Sequence, residues 1–408
     1  MGFWAEPWSV RESAFARLRA ELPISYYDEP FFPDTPIAMP ESTGYYAVTK
    51  YRDIAEITRN PDIYCSGQGA VSILDLPPEM AEYFSGMIST DDPRHARLRR
   101  IVANAFSPKR VRAIEDSIEA IASEIVDGIA QGDGGDFVID VAAPFPSQVI
   151  CRMMGVPPSE EATVLRASNI ILSMADDEYL PEGVHPVTAF LDAAAEMVGV
   201  MEDLAAHRRH HEVDDITSAL LRADIDGDAL SHQELASFFV LLMTAGNETT
   251  RTAISHGLYS LSQHPDQRDL WWSNFDQHHK TAVEEIIRFA SPITWMRRTV
   301  TRDVVLSGVD LHRGDKVLMF YNSANRDEDV FEEPQRFAIT RNPNPHFGFG
   351  APGPHFCLGA HLARREISTL FRELSLKVPG ITTTSEPDRL LSSFVNGIKH
   401  LDYQIERS

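Results

Sequence analysis

A single cysteine at the end of a glycine-rich loop is the residue whose setting points most directly to chemistry. The segment FGFGAPGPHFCLGAHLAR (347–364) delivers Cys357 just before a predicted helix that begins near Gly359. Helix N-termini present unpaired N–H groups and positive potential, which lower the pKa of a cysteine and favour its thiolate. Gly350, Gly353 and Gly359 would let the backbone pass close to a flat ligand. A metal-binding thiolate fits this pattern, and so does a buried structural cysteine.

A second chemical signal lies inside an apolar helical pattern. The sequence AGNETT (245–250) places an acid, Glu248, and an alcohol, Thr249, in the middle of the helix predicted for 231–263. A carboxylate is costly in an apolar helix unless it is used or solvated. The alternative is a local helix distortion that is satisfied by threonine hydroxyls bonding back to the preceding turn.

Two further pairs have helical spacing. His95 and Arg99 lie four residues apart in DDPRHARLRR, so both side chains could reach the same anion. Glu285 and Arg288 lie three apart and could form an ion pair. By themselves, both pairs are ordinary surface chemistry.

The elements that must position these residues are mostly helices. Apolar residues three and four apart predict helices, and alternating pieces after residue 297 predict small strands. One strand is predicted over 45–49 and a last helix from about residue 359. The predicted helices cover 52–58, 93–130, 157–174, 186–209, 214–221 and 231–263. No repeat or flexible linker separates independent units, so a single domain over residues 1–408 is expected.

Composition excludes several classes of protein. A formal net charge of −23 argues against general binding of nucleic acid, which depends on Lys and Arg at phosphates. Three distant cysteines do not make a disulfide framework or a zinc site with paired cysteines. No stretch reaches the ~20 apolar residues of a membrane-spanning helix. The first residues do not read as a secretory signal, so a cytoplasmic location is expected.

The cysteine loop resembles the haem-ligand loop of the cytochrome P-450 family. The motifs AGNETT, Glu285-Ile-Ile-Arg288 and FEEPQRF precede it in the same order as in that family. The resemblance extends from Tyr45 to about Phe394. It implies a mainly α fold with small β-sheets, with haem b held between the long central helix and the helix after the cysteine. Cys357 would be the sulfur ligand of the iron.

The resemblance also assigns roles to the other signals. Glu248 and Thr249 would manage the protons needed for oxygen activation. A buried Glu-Arg-Arg network would stabilise the core behind the haem. Its members would be Glu285, Arg288 and Arg336. The partners of the haem propionates would be His95, Arg99, Arg298 and His355.

One position departs from the pattern of most bacterial members. They have Phe seven positions before the cysteine, whereas this chain has Gly350 there and Phe349 one place earlier, which leaves the shielding of the sulfur open. The loop instead resembles that of actinobacterial members that hydroxylate sterols and methyl-branched lipids. We therefore expect a monooxygenase acting on a methyl-branched fatty or isoprenoid lipid at a terminal methyl, with sterol side-chain hydroxylation as the alternative.

Substrate choice is expected to depend on apolar residues near the haem. The candidates are Ile73, Leu74, Met80, Phe84, Met87, Phe238, Leu242, Ala245, Ile293, Trp295 and Phe394. An apolar pocket with few polar groups suits a lipid, although each residue could be ordinary core.

Electrons must come from other proteins, since the chain has no segment for flavin or an iron–sulfur centre. We expect a ferredoxin with its reductase, and O2 as co-substrate. An acidic ferredoxin would suit a basic patch near the cysteine loop, although a solvated face explains the same residues. The patch would comprise Arg97, Arg100, Lys109, Arg110, Arg112, Arg364 and Arg365.

Three other functions remain as alternatives. A haem-thiolate sensor without oxygen chemistry would not need Glu248 and Thr249, and a peroxide-driven oxygenase replaces that pair by other residues. A metal site at His207, His210 and His211 is the third, but these residues lie in a polar stretch that reads as a solvated helix end.

Overall fold

The architecture was obtained as a computed structural model, which describes residues 2–30, 40, 43–76, 86–103, 114–173, 176–211, 213–222, 224–225 and 228–407. Fourteen α-helices are found within these ranges. They are α1 (Gly2–Ala5), α2 (Trp8–Glu21), α3 (Tyr51–Arg59), α4 (Arg94–Ala103), α5 (Glu115–Ile129), α6 (Pro144–Met154), α7 (Glu161–Ser173), α8 (Pro186–His210), α9 (Ile216–Arg222), α10 (His232–Gln263), α11 (Pro265–Ser273), α12 (Phe275–Ala290), α13 (Tyr321–Ala324) and α14 (Ala360–Lys377).

Fourteen short strands are found in the same described ranges. They are β1 (Ile24–Tyr27), β2 (Tyr45–Val48), β3 (Tyr64–Cys65), β4 (Gly134–Asp136), β5 (Asp224–Ile225), β6 (Asp228–Ala229), β7 (Trp295–Val300), β8 (Val304–Leu306), β9 (Val309–Leu311), β10 (Lys316–Phe320), β11 (Ile381–Thr383), β12 (Asp388–Arg389), β13 (Ile398–His400) and β14 (Asp402–Ile405). Five of them form the largest sheet, in the order β1-β2-β10-β7-β3. Strand β10 pairs antiparallel with β7, so that Phe320 lies opposite Trp295.

Helix α10 is the central element of the fold. It begins with a capping box, in which Ser231 and Glu234 each accept a backbone N–H of the other residue. Its 32 residues pack against α6, α7, α8, α12 and α14, and much of its length is buried. The run 235–245 supplies apolar residues to its first half, where buried positions alternate with partly exposed ones, and residues 250–258 are all buried.

The predicted elements are confirmed with shifts at their ends. The helix predicted over 93–130 is described as α4 and α5, and residues 104–113 between them lie outside the described residues. The helix predicted from residue 157 opens with a 3-10 turn, Pro158–Glu160, before α7. No described helix is both long and apolar enough to cross a membrane.

A buried network on α12 fixes the segment that leads to the cysteine loop. Both guanidinium edge nitrogens of Arg288, Nε and Nη2, donate to Glu285 at 2.8 Å. Arg341 Nε lies 3.2 Å from both oxygens of the same carboxylate. The backbone N–H of Ala338 and the amide of Asn344 complete its shell, at 2.9 and 3.1 Å. Glu285 and Arg288 are both fully buried, so this pair depends on its hydrogen bonds.

The prediction that Arg336 joins this network is wrong. Its guanidinium pairs with Glu333 at 2.9 Å, and both side chains are more than half exposed. The carbonyl of Arg336 is what reaches the network, where it accepts from Arg288 and Arg341 at 3.2 and 3.0 Å. Because the carbonyl of Arg336 faces the network, its side chain points toward solvent. The second arginine that binds Glu285 is Arg341.

The two arginines should therefore respond differently to truncation. Arg341→Ala removes a partner from a buried carboxylate and is expected to lower the free energy of unfolding by about 3 kcal/mol. Arg336→Ala removes an exposed ion pair and should cost less than about 1 kcal/mol. Urea unfolding of both variants measures the difference. Equal losses would contradict the assignment of Arg341 to the network.

Candidate active site

The cysteine loop delivers its sulfur to the first turn of α14. The N–H of Cys357 donates to the carbonyl of Phe349 at 3.0 Å, which closes the loop on itself. The backbone N–H groups of Gly359 and Ala360 donate to the sulfur. Cys65 and Cys151 are buried, whereas Cys357 keeps accessible surface. This cysteine therefore combines access with the donors that a thiolate needs.

The pKa of Cys357 moves in the opposite direction to the one expected from the helix terminus alone. Burial among protein atoms raises the pKa of the thiol, and the N–H groups of Gly359 and Ala360 with the charges of Arg99 and Arg364 only partly oppose this. Desolvation outweighs the helix terminus because charge is disfavoured where water is excluded. A bound cation would favour the thiolate, since metal coordination deprotonates a thiol.

The glycines of the loop have different functions. Gly350 adopts a φ of +82°, a conformation that L side chains rarely take. A Cβ at Gly353 would lie 2.5 Å from the carbonyl oxygen of Thr58, so this glycine allows the loop to pack on the end of α3. At Gly359 a Cβ would lie 3.9 Å from the sulfur of Cys357. Only the last of the three therefore borders the sulfur.

The displaced aromatic residue, Phe349, packs against Arg364. Its ring packs beneath the guanidinium of Arg364, 4.3 Å from the ring centre, and lies 6.4 Å from the ring of Phe356. The Arg364 side chain is held in turn by Glu284 at 2.5 Å. An aromatic side chain is thus present beside the cysteine loop, one place earlier than the common pattern.

Two histidines and two arginines lie close together beside this loop and form a cationic cluster, which comprises His95, Arg99, Arg298 and His355. The rings of His95 and His355 stack with centres 4.1 Å apart. Arg99 donates to the carbonyl of Phe356 at 2.7 Å, and Arg298 donates to the carbonyl of Arg297 at 2.7 Å. Within the described residues, neither of these arginines has a carboxylate as ion-pair partner.

These side chains repel one another. Burial lowers the pKa of His355 to about 2, and the charge of Arg298, the ring of His95 and the charge of Arg99 act in the same direction. Burial, with Arg99 next, also lowers the pKa of His95, whose Nε2 is buried without a partner. Burial lowers the pKa of Arg298 as well. Such a cluster is suited to an anionic ligand, which would relieve the repulsion.

One face of α10 stays accessible inside the fold. Leu242, Ala245 and Thr249 follow one another at helical spacing and keep accessible surface, whereas Met243 and Glu248 are buried. The hydroxyl of Thr249 donates to the carbonyl of Ala245 at 2.7 Å. The helix is continuous here, so the back-bonding of the alternative interpretation is found without the local distortion that it included.

Glu248 points into the core, away from that accessible face. It pairs with Arg251, one turn further along α10, and both side chains are almost fully buried. Arg251 also donates to Asn169 of α7 at 2.9 Å. Burial raises the pKa of Glu248, and Arg251 and Thr252 oppose the shift. The structure therefore adds Arg251 and Asn169 to the site. The i,i+3 spacing of Glu248 and Arg251 could have indicated Arg251, whereas no sequence spacing indicates Asn169.

Comparison with known proteins decides the family. A model of the cytochrome P450 family matches residues 168–270 and 279–402, which together exceed half of the chain. The chain belongs to the cytochrome P450 family. It is accordingly an oxidoreductase of the monooxygenase class, and the family implies a haem cofactor.

Individual relatives cover nearly the whole P450 chain. A methyl-branched lipid omega-hydroxylase of Mycobacterium tuberculosis is 46% identical over 404 residues, which is 98% of this chain and 92% of the relative. A steroid C26-monooxygenase of the same species is 38% identical over 371 residues, covering 88% and 82%. A solved Mycobacterium marinum cytochrome P450 in complex with pseudoionone has a TM-score of 0.93 and 41% identity, covering 99% of this chain and 97% of that chain. The predicted fold is thereby confirmed.

The residues of this P450 fit a haem. Cys357 offers an accessible sulfur with two N–H donors, and α10 presents an accessible face. The cluster of His95, Arg99, Arg298 and His355 matches two carboxylates in charge, and the unpartnered Nε2 of His95 is available to one of them. The arrangement thus provides a ligand for the iron and a binding site for the two carboxylates of one haem.

The predicted substrate residues fall into two apolar groups. Met87 and Phe238 line one small cavity with Leu98 and Gly86. Trp295 and Phe394 pack edge to face, 5.0 Å between ring centres, and Ile73 joins the same cluster. The remaining described candidates, Leu74, Leu242 and Ile293, are half-buried, and Ala245 is exposed. Met80 and Phe84 lie outside the described residues, and the pocket as a whole stays a prediction.

The expected basic patch is largely neutralised where it is described. Arg97 pairs with Glu234 at 2.8 Å, and Arg365 pairs with Glu119 at 2.7 Å. Arg364 is held by Glu284, as described above. Arg100 is exposed and lies at the end of α4. The other three members, Lys109, Arg110 and Arg112, lie outside the described residues.

The histidine cluster does not form a metal site in the part of the chain that the structure describes. The rings of His207 and His211 are 4.7 Å apart, but no third ligand converges on them. A different group of three ligands, Glu178, Asp388 and His400, does converge. It is occupied by ion pairs, since Lys399 lies 2.8 Å from Glu178.

The cationic cluster yields a direct prediction for cofactor binding. Arg298→Leu removes a buried charge that faces the proposed propionates, so we expect a severalfold lower haem content after expression and faster haem loss. Arg302→Leu, four residues along the chain at an exposed ion pair with Asp62, is the matched control. The pyridine haemochrome assay measures the haem content of both variants. Equal haem content in the two variants would contradict a role for Arg298 in binding the haem propionates.

Proposed function

We propose that this P450 is a haem b monooxygenase that hydroxylates a methyl-branched fatty or isoprenoid lipid at a terminal methyl group, with O2 as co-substrate. The observation that carries the proposal is the placement of Cys357, with its N–H donors, beside the cluster of His95, Arg99, Arg298 and His355, whose two arginines have no carboxylate partner among the described residues. The relative named as a methyl-branched lipid omega-hydroxylase supports the choice of substrate. We also propose that residues 1–408 form one catalytic domain.

The roles of the chain's own residues follow from where they lie. Cys357 would ligate the iron, and His95, Arg99, Arg298 and His355 would bind the two propionates. A thiolate-ligated haem supplies oxygen activation that can oxidise an unactivated C–H bond. The protein then determines which carbon is presented to it.

Proton management is proposed for Glu248 and Thr249. In the present geometry the carboxylate of Glu248 faces Arg251, while the hydroxyl of Thr249 lies at the accessible face of α10. Glu248 would have to leave Arg251 to pass a proton toward Thr249. The raised pKa of the buried acid favours its protonated form, which is the form that can donate.

Two groups of apolar residues, one of them at α10, support a lipid substrate. Met87 and Phe238 lie toward the start of this helix, and Trp295 and Phe394 belong to the group near β7. Arg94 and Glu234 also line the cavity of Met87 and Phe238, where they form an ion pair with each other, whereas Trp295 and Phe394 belong to a cluster of hydrophobic side chains. A sterol side chain is the second candidate, because a relative is a steroid C26-monooxygenase.

Spectral titration of the ferric protein tests the substrate class. A methyl-branched fatty acid should shift the haem Soret band at micromolar concentration, and each branch should tighten binding about fourfold over the linear acid of equal length, since an extra buried methyl contributes ~0.8 kcal/mol. Mass spectrometry should locate the new hydroxyl on a terminal methyl. A shift with a compact polar ligand and none with branched lipids would refute the proposal.

Ferredoxin and its reductase are proposed as electron donors. The support is indirect, since the described basic residues near the cysteine loop are mostly ion-paired and Arg100 is exposed. Docking would therefore depend on shape and on few free charges. The cytoplasmic location expected from the sequence stays a prediction.

A further inference from the structure

Three arginines surround the indole ring of Trp8, outside the cysteine loop and its cationic cluster. The guanidinium carbons of Arg11, Arg326 and Arg389 lie 5.4, 4.6 and 5.8 Å from the ring centre of Trp8. Trp8 and Arg11 belong to α2, Arg326 follows α13, and Arg389 lies in β12. Three separate parts of the chain therefore bring positive charge to the same small volume.

Several donors of this arginine cluster have no acceptor. Nε of Arg11, Nε and Nη1 of Arg326, and Nη1 of Arg389 are all buried and make no hydrogen bond. Arg11 is 5% exposed and Arg326 is 1% exposed. Arg326 satisfies only its Nη2, which donates to the carbonyl of Phe289 at 2.7 Å. Four unpaired charged donors in one place are costly unless a further group accepts from them.

Nearby carboxylates do not balance the charge. Glu12 accepts from Arg19 at 3.0 Å and from the Gln335 amide at 2.9 Å, and its other oxygen lies 3.8 Å from Arg326. Glu328 also pairs with Arg19.

Arg389 has an acid in its vicinity but no ion pair with it. The carboxylate of Glu386 accepts from the hydroxyl of Tyr259 at 2.7 Å and acts on Arg389 only from a distance. Arg11 forms no ion pair with any described carboxylate. Four guanidinium groups, including that of Arg19, thus share the ion-paired carboxylates of Glu12 and Glu328, and Glu386 acts only from a distance, so positive charge remains in excess.

Burial lowers the pKa of three groups in this neighbourhood, and the arginine charges add to the shift at Arg11 and His256. Burial, with Arg389 next, lowers the pKa of Arg11 to about 10, and burial lowers the pKa of Arg326 to about 10. Burial lowers the pKa of His256 to about 3, and the same three arginines add to the shift. The indole offsets part of this cost, since a cation on an aromatic face gains about 0.5–2 kcal/mol.

We propose that the cluster of Arg11, Arg326 and Arg389 around Trp8 is a binding site for one oxyanion of the phosphate class, either free or as the phosphoryl group of a small molecule. An oxyanion would offset the excess positive charge, and its oxygens are the acceptors that the four unpaired N–H groups lack. Arg389 and Trp8 are half-buried, so they border solvent and provide the route of entry. The bound anion would join α2 to the segment after α13 and to β12.

Calorimetric titration of the holoprotein with inorganic phosphate tests this site. The protein is first exchanged into buffer without multivalent anions, and sodium chloride holds the ionic strength constant. We expect saturable binding of one phosphate per chain and a rise in the unfolding temperature of about 1–4 °C at saturation. Arg389→Gln should weaken binding at least tenfold. Arg17→Gln, on an exposed residue of the same helix, is the control and should bind as the wild type does.

Stability without phosphate separates a binding site from a merely structural cluster. Arg389→Gln removes one of three mutually repelling charges, so in phosphate-free buffer it should unfold at the same temperature as the wild type or higher. A clear loss of stability there, absence of saturable binding by the wild type, or unchanged affinity in Arg389→Gln would each overturn the proposal.

Phenyl phosphate distinguishes the two sources of the oxyanion. Tighter binding of phenyl phosphate than of inorganic phosphate would assign the site to a phosphorylated small molecule, and equal or weaker binding would assign it to the free ion. The proposed site shares no residue with the cysteine loop or its cationic cluster. Its failure would therefore leave the proposed oxygenase function untouched, and the converse also holds.

Discussion

As the proposed thiolate ligand of the haem iron, the sulfur of Cys357 would carry a charge in a place where the surrounding protein atoms disfavour one, and the groups around it must offset that cost. Burial raises the pKa of the thiol, and only the N–H groups of Gly359 and Ala360 and two nearby arginines act in the other direction. These donors exist because the loop ends where α14 begins. The loop reaches that point because the N–H of Cys357 bonds to Phe349 and because Gly353 can touch the carbonyl of Thr58.

The same loop depends on a second buried charge. Glu285 holds Arg288 and Arg341, and it also accepts from the amide of Asn344, shortly before the loop begins. A carboxylate without exposure is tolerated only when its oxygens are satisfied, and five donor groups do so here. The network thus links α12 to the start of the cysteine loop. In the cationic cluster beside the loop, Arg99 and Arg298 donate to carbonyls and have no carboxylate partner among the described residues, which is why the cluster suits an anionic cofactor.

The sequence was sufficient for the long helices and for the family because these depend on local patterns. The periodicity of α10 and the setting of Cys357 are contained in short stretches. The error at Arg336 has a different origin: two arginines, 336 and 341, follow the same turn, and only the path of the backbone decides which side chain faces Glu285. Arg251 was likewise missed, since the burial of Glu248 depends on neighbouring helices.

Thiolate ligation of haem by Cys357 is the central claim, and the absorption spectrum of the reduced, carbon monoxide-bound protein tests it most directly. Purified wild-type protein is compared with Cys357→Ser, with circular dichroism to establish that the variant is folded. The account predicts a strongly red-shifted Soret band in the wild type and its loss in the variant. A wild type without haem, or a band that survives in folded Cys357→Ser, would contradict it.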